Sequence, residues 1–283
     1  RPLRRRLLEL SRAAQAFGRG ELSTRAPVRS KDAISNLAVS FNGMAEEIQR
    51  LIAAQRELLA LVSHELRSPL QRLHFAVESV RSAEAAEQRG EGLVRMERDL
   101  IELDELLDEL LNYVRLQSDV PLKAEPTDLR ALIEELRQAQ LELADGIEIE
   151  LSLPPDAAIT ATVDPRLLKR ALGNLLGNAL RFARTRIRLS LSRRESLLIF
   201  EVEDDGLGIK AADRQRIFEP FTRLAAAADD GKPQRRGYGL GLAIVRRIAE
   251  RHHGSVEARS GEVLGGALFV LTLPAAPGER HRS

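Results

Sequence analysis

The chain has 283 residues, of which 43% are hydrophobic and 30% charged, so it is long enough for two or three globular domains and too apolar to be disordered. A formal net charge of +1 gives no electrostatic case for nucleic acid, and the absence of cysteine excludes disulfides and thiolate metal sites and fits a reducing compartment. No apolar run approaches the roughly 20 residues needed to span a bilayer, and no signal peptide is visible.

Arg1, Arg4, Arg5 and Arg6 make a basic start of the kind the positive-inside rule places beside a membrane helix; the alternative is a basic helix start on a soluble protein. Leu7, Leu8 and Leu10 open a short helical stripe that Gly18, Gly20 and Pro27 end. A second stripe begins near Ile34 and Leu37. It runs through Phe41, Met44, Ile48, Leu51, Leu58, Val62, Leu66, Leu73, Val77 and Val80, in steps of three, four and seven. Polar residues from Arg81 to Gly92 end it, and Leu93, Met96, Leu100, Leu103, Leu107, Leu110 and Val114 form a third. Two such helices joined by a short turn make a hairpin that cannot cover its own leucines. Two hairpins packed as a four-helix bundle can, so a homodimer is expected. The alternative is an antiparallel coiled coil folded back on the second domain.

Beyond Val120-Pro121 the pattern changes to alternating helices and strands. Thr127 or Asp128 can cap a helix through Leu141, and Ile147 to Leu153 alternates as a strand. Asp164-Pro165 starts a helix to about Phe182. Ile187 to Leu191, Leu197 to Glu203 and Ala267 to Leu273 read as strands, and Leu240 to Arg251 as a helix. The expected fold is therefore multidomain: an all-α N-terminal part, then an α/β sandwich with helices on one face of a sheet.

Four segments of the second domain suit a nucleotide. In "NLLGNALRF", Asn174 and Asn178 lie four apart on one helix face, where an amide oxygen suits Mg2+; Arg181 can pair with phosphate and Phe182 can pack on a base. In "EDDGLGI", Asp205 can accept from an exocyclic amine, and Gly206 and Gly208 allow close backbone approach. "RIFEPFTRL" offers Phe218, Pro220 and Phe221 as loop anchors. "GYGLGLAIV", from Gly237, opens a helix whose free N–H groups can face phosphates. Ala225 to Arg236, between the last two, is polar and glycine-containing and suits a lid.

In "SHELRSPLQRL", His64 points away from the buried stripe. An exposed helical imidazole is usually an ordinary surface residue, the reading given to His252, His253 and His281. Here Glu65 can hydrogen-bond one ring nitrogen and leave the other to attack, Ser68 lies one turn on, and Pro69 is placed to bend the helix.

The segment "SHELRSPL" resembles the phosphoacceptor box of the sensor histidine kinases of bacterial two-component systems. The four nucleotide segments resemble that family's nucleotide boxes in the same order, and "LAVSFNGMAEEI" resembles part of a HAMP linker. The resemblance covers nearly the whole chain. It implies a HAMP-like linker over 1–53, a dimerisation and histidine phosphotransfer domain over 54–118, a connector over 119–125, a Bergerat-type ATP-binding domain over 126–276 and a tail over 277–283. It further implies an ATP-dependent protein-histidine kinase with His64 as phosphoacceptor, Glu65 as general base and Ser68 assisting partner dephosphorylation. Asn178 would hold Mg2+ with Asn174 in support, Arg181 would contact phosphate, Phe182 would line the base pocket and Asp205 would recognise adenine. Gly206, Gly208, Ile209, Phe218, Gly237, Gly239, Leu240 and Gly241 would shape pocket and lid. The implied partners are a second copy, a response-regulator receiver domain and ATP, without nucleic acid. The chain would be the cytoplasmic portion of a protein held in the inner membrane by a segment outside this sequence. Ser68 stands for the family's commoner Thr, Phe182 for Tyr and Leu207 for Pro, and "KDAISNLA" departs from the usual HAMP signature at Ala33 and Ser35. Two competing readings are an ATP-driven clamp of the same nucleotide fold, against which "SHELRSPL" argues, and a scaffold that binds ATP without transfer, against which the full pocket set argues.

Overall fold

The computed structural model describes residues 2–29, 32–82, 86–117, 121–141, 144, 146–154, 159–224 and 238–275. The expected lid over Ala225–Arg236, Gly237, His281 and the tail lie outside the described residues. The chain divides into two compact units, Arg1–His74 and Phe75–Ser283.

The first unit holds helix α1 (Pro2–Gly18) and most of helix α2 (Ala33–Ser82). Ala13, Ala26 and Ala38 are buried with Leu10 and Phe41 against them, small residues that let the elements approach closely. The Phe17 and Phe41 rings meet edge to face at 5.9 Å. The Asn42 side chain closes the return strand of chain from both sides: its Nδ2 donates to Ala26 O at 2.9 Å and its Oδ1 accepts from Ala26 N at 2.8 Å. Asp32 caps α2 by accepting from Ser35 N at 3.0 Å. Helix α2 runs unbroken through Pro69 and across the 53/54 boundary expected between linker and phosphotransfer domain. No helix among the described residues is long and apolar enough to cross a membrane.

The second unit begins with the end of α2 and continues, among the described residues, with helix α3 (Ala86–Gln117), so helix already occupies part of the polar stretch Arg81–Gly92 expected to end α2. A Cβ on Gly92 would lie 2.4 Å from Val80 Cγ2, so the two helices are in close contact there. Leu93, Leu100, Leu107 and Val114, spaced by sevens along α3, are all exposed.

The α/β part follows as β1 (Glu125–Asp128), α4 (Leu129–Leu141), β2 (Glu148–Ser152), β3 (Thr160–Val163), α5 (Pro165–Phe182), β4 (Arg186–Arg194), β5 (Leu197–Asp204), α6 (Gly241–Arg251), β6 (Ser255–Ser260) and β7 (Ala267–Pro274). Five strands form one mixed sheet in the order β2-β4-β5-β7-β6, with β2 and β4 parallel and the other pairs antiparallel. Strands β1 and β3 make a separate antiparallel pair. Helices α4, α5 and α6 bury Leu132, Ile133, Leu168, Leu172, Leu175, Ile244 and Ile248 in one core with Leu189, Phe200 and Phe269 of the sheet. Every expected strand and helix is present. The added strands β1, β3 and β6 are short or carry charge, so their alternation is weak. Asp128 caps α4, its Oδ1 accepting from Arg130 N at 3.0 Å and Ala131 N at 3.2 Å.

His252 corrects a surface reading. It is buried at the end of α6, where its Nδ1 donates to Ile248 O at 2.9 Å and its Nε2 accepts from Asp164 N at 3.2 Å. Asp164 in turn caps α5 through Leu167 N at 3.2 Å and accepts from Lys123 N at 3.0 Å. Burial pushes the His252 pKa down, outweighing the Ile248 carbonyl and the Asp164 carboxylate, which raise it. Because the native imidazole resists protonation, this stabilisation is present above the ordinary value near 6.5. It is lost as pH falls through that value toward the depressed one, where the unfolded chain takes the proton first. Thermal melts are expected to show a Tm that falls between pH 7.5 and pH 5.5, with that slope reduced in His252→Gln.

Candidate nucleotide and phosphoacceptor sites

The sequence-level candidates fall in two places, one in each unit. In the first unit His64 stands on α2 with its side chain 78% exposed. Its Nδ1 lies 3.3 Å from Glu65 Oε1, so a proton on Nδ1 is donated to that carboxylate and the lone pair is then left on Nε2. Ser68, one turn on, has its hydroxyl held by Arg72 Nη1 at 3.2 Å. His64, Glu65 and Ser68 are thus brought together as expected.

In the second unit α5 buries Leu168, Leu172, Leu175, Leu176 and Ala179 on one side and turns Asn174, Asn178 and Arg181 to the other. Asn174 Nδ2 donates to Gly241 O at 3.1 Å, tying α5 to the start of α6. Asn178, one turn later and half-buried, has an amide oxygen suited to Mg2+, an ion that takes most of its ligands from water and phosphate rather than from a closed protein cage. The Arg181 guanidinium carbon lies 5.2 Å from the centre of the Phe182 ring, and its Nε is buried without a hydrogen-bond partner. Burial, and then the charge of Arg223, push its pKa down.

The glycine segments close around α5. A Cβ on Gly206 would lie 2.4 Å from Phe182 O, so only glycine lets the turn after β5 rest on the end of α5. Gly239 has φ +76°, and a Cβ there would stand 2.8 Å from Phe221 C and from Thr222 O. Phe221 is itself at φ +59°, and its N–H donates to Gly239 O at 2.9 Å. The loop anchor and the start of α6 are therefore locked back to back in strained conformations. Phe218 is buried edge to face on Phe269 at 6.3 Å, Leu240 is fully buried, Ile209 packs against the core, and Phe182 remains half open.

Asp205, the expected adenine contact, has its carboxylate engaged within the chain. Both its oxygens are occupied by the start of β4: Arg184 N donates at 2.7 Å, Thr185 N at 3.0 Å and Thr185 Oγ1 at 2.6 Å. Against partial desolvation, which raises it, these bonds hold its pKa down to about 2. The preceding residue has the opposite character. Asp204 is 1% exposed; its Oδ1 accepts from Gly206 N at 2.9 Å and Ala267 N at 3.2 Å, and its Oδ2 is buried with no partner. Burial pushes its pKa up, only partly offset by those two backbone donors. The missed signal was parity. Leu198, Phe200 and Val202 face the helices, and Asp204 continues that series while Asp205 leaves it.

An α/β sheet covered by helices, with asparagines on α5 converging on glycine turns and a buried unsatisfied carboxylate, defines a nucleotide-binding domain. Comparison with known proteins places it. The family models matched are "Histidine kinase-, DNA gyrase B-, and HSP90-like ATPase" over residues 163–277, "His Kinase A (phospho-acceptor) domain" over 54–119 and "HAMP domain" over 1–50. Sensor protein RstB of Escherichia coli K12 is 37% identical over 286 residues, covering 97% of this chain and 61% of RstB. The crystal structure of full-length ShkA with AMPPNP is matched with TM-score 0.57 at 29% identity, over 79% of this chain and 46% of that one. That of the histidine kinase ThkA with the response regulator protein TrrA is matched with TM-score 0.66 at 22% identity, over 82% of this chain and 65% of that one, and shows the fold. The chain belongs to the sensor histidine kinases of bacterial two-component systems, and it spans about three fifths of the length of RstB.

Gly239→Ala is expected to cost about 2 kcal/mol through the forbidden φ and the backbone clash with Phe221, read as a fall in Tm of several degrees.

Proposed function

We propose that the chain binds ATP with Mg2+ in the second unit, transfers the γ-phosphoryl group to His64, and passes it on to an aspartate of a response-regulator receiver domain. The observation that carries this reading is the buried, unpartnered Oδ2 of Asp204, an acceptor placed for the exocyclic amine of adenine beside an α5 face of amides and an arginine. The role first given to Asp205 thus passes to Asp204. Phe182 lines the base side, Arg181 faces phosphate, and Asn178, supported by Asn174, is the protein ligand for Mg2+, which offsets charge on the phosphates. Ile209, Phe218, Gly206, Gly208, Gly239, Leu240 and Gly241 shape the pocket; Gly237, expected with them, lies outside the described residues. The likeness to ShkA, solved with AMPPNP, supports the choice of ATP.

At the phosphoacceptor, Nε2 of His64 attacks the γ-phosphorus as the bond to the β–γ bridging oxygen breaks and ADP leaves. Glu65 takes up the positive charge by accepting the Nδ1 proton. The receiver carboxylate then attacks phosphorus and restores the imidazole. The ThkA complex with its response regulator supports a partner of that class. Ser68 is placed to orient water for the reverse hydrolysis of the partner, a phosphatase role. The heptad of exposed Leu93, Leu100, Leu107 and Val114 supports a second copy of the chain as the other half of a four-helix bundle. The arginines Arg4, Arg5 and Arg6 on α1 suit a position beside an anionic membrane.

With γ-labelled ATP and Mg2+, acid-labile, alkali-stable label is expected on the wild-type chain and none on His64→Gln, which should still bind nucleotide. Hydrolysis without protein label would instead favour a clamp ATPase. Asp204→Asn is expected to weaken ATP binding at least about ten-fold in calorimetry, and Asp205→Asn less than about two-fold. Equal losses would return the adenine contact to Asp205.

A further inference from the structure

One face of α3 is committed to the ATP-binding domain, and its contacts do not follow from any nucleotide role. Leu106 and Leu116 are buried on it, and Leu110 and Tyr113 pack against the domain core. At its far end Arg247 of α6 donates from Nε to Leu116 O at 3.1 Å, satisfying one of the carbonyls a helix terminus leaves open. At its near end the donor is Tyr238. This residue precedes Gly239 in the strained glycine turn, it is 7% exposed, and its hydroxyl donates to the backbone carbonyl of Glu102. A mid-helix carbonyl already serves its own helix, so the phenol adds a tether rather than filling a vacancy.

The face is also built to let go. Glu109 lies within it with Oε2 buried and unpartnered, facing Arg170 of α5, with Glu105 and Asp108 of α3 as the neighbouring acids. A contact meant to be permanent rarely buries a carboxylate oxygen without a donor. Burial pushes the Glu109 pKa up, which marks the same cost.

We propose that Tyr238 is a positioning residue that couples the phosphate-binding turn to α3, so that rearrangement of the turn around a nucleotide and release of α3 are one event. The coupling rests on the reading that this turn binds the phosphates of ATP. Gly239 shares its peptide bond with Tyr238 and holds Phe221, so the turn cannot reshape without moving the phenol. By linkage, whatever factor nucleotide applies to α3 release, release applies to nucleotide affinity.

The test is hydrogen exchange across residues 102–117 in the full chain, with and without a non-hydrolysable ATP analogue, with nucleotide affinity and autophosphorylation measured in parallel. In the wild type the analogue is expected to raise exchange on α3. Tyr238→Phe keeps the ring and loses one hydrogen bond. It is expected to raise exchange without nucleotide by about five-fold, to shrink the response to the analogue, and to tighten nucleotide binding by a similar factor. Arg247→Gln, which loosens the other end of the face, is expected to raise exchange but to keep the full response to nucleotide. A Tyr238→Phe chain with wild-type exchange and a wild-type response overturns the coupling, as does wild-type binding of the analogue with no change on α3. A wild-type chain that binds no nucleotide in calorimetry removes the ATP reading itself, and the coupling with it.

Discussion

A carboxylate that is walled in and only half satisfied sets the terms for the nucleotide domain. Asp204 sits at the end of β5, on the side of the strand that faces the helices, and its closure depends on neighbours without side chains. A Cβ on Gly266 would come within 2.5 Å of its Oδ1 and within 2.3 Å of its backbone oxygen. Gly206, on the other side, is held against the end of α5. The same close packing that removes water from Asp204 therefore brings the asparagine face of α5 to the turn. Ion desolvation is costly, and here it is only partly repaid by Gly206 N and Ala267 N. In the proposed function the remaining lone pairs select a ligand that brings its own N–H.

The proposed phosphoacceptor stands in the opposite environment. His64 is almost wholly solvated, and its environment is one carboxylate, Glu65, 3.3 Å from Nδ1. In the proposed reaction its reactivity therefore rests on tautomer control by Glu65 rather than on burial. One unit then supplies a buried recognition site and the other an exposed nucleophile, a division suited, in that reaction, to a group that must meet two different phosphoryl partners in turn.

Much of this was legible in the chain. Helical period fixed α2, α3 and α5 because their apolar residues recur without interruption, and the Asp164-Pro165 pair marked the start of α5 through cap chemistry alone. The asparagines, His64 and Glu65 lie on helices, where spacing translates directly into direction. The proposed transfer of the adenine contact from Asp205 to Asp204 has a reason of the same kind. Two adjacent aspartates differ only in which face of a strand they occupy, and that requires carrying the parity of Leu198, Phe200 and Val202 two residues past the apolar run. His252 was misread because its burial comes from packing against Asp164, 88 residues away, and no local pattern reports such a contact. The docking of Tyr238 on Glu102 is equally non-local, with 136 residues between them.

The outer strands of the five-stranded sheet carry one more consequence. Strands β2 and β6 leave their outer backbone groups unpaired by the sheet, and each places charge along its length: Glu148 and Glu150 on one, Glu257 and Arg259 on the other. Such margins repel a neighbouring strand and discourage sheets from joining edge to edge. Self-association of this protein is thereby directed away from its β structure and left to leucines on helices, so that crowding many copies together need not fuse their ATP-binding domains into a common ribbon.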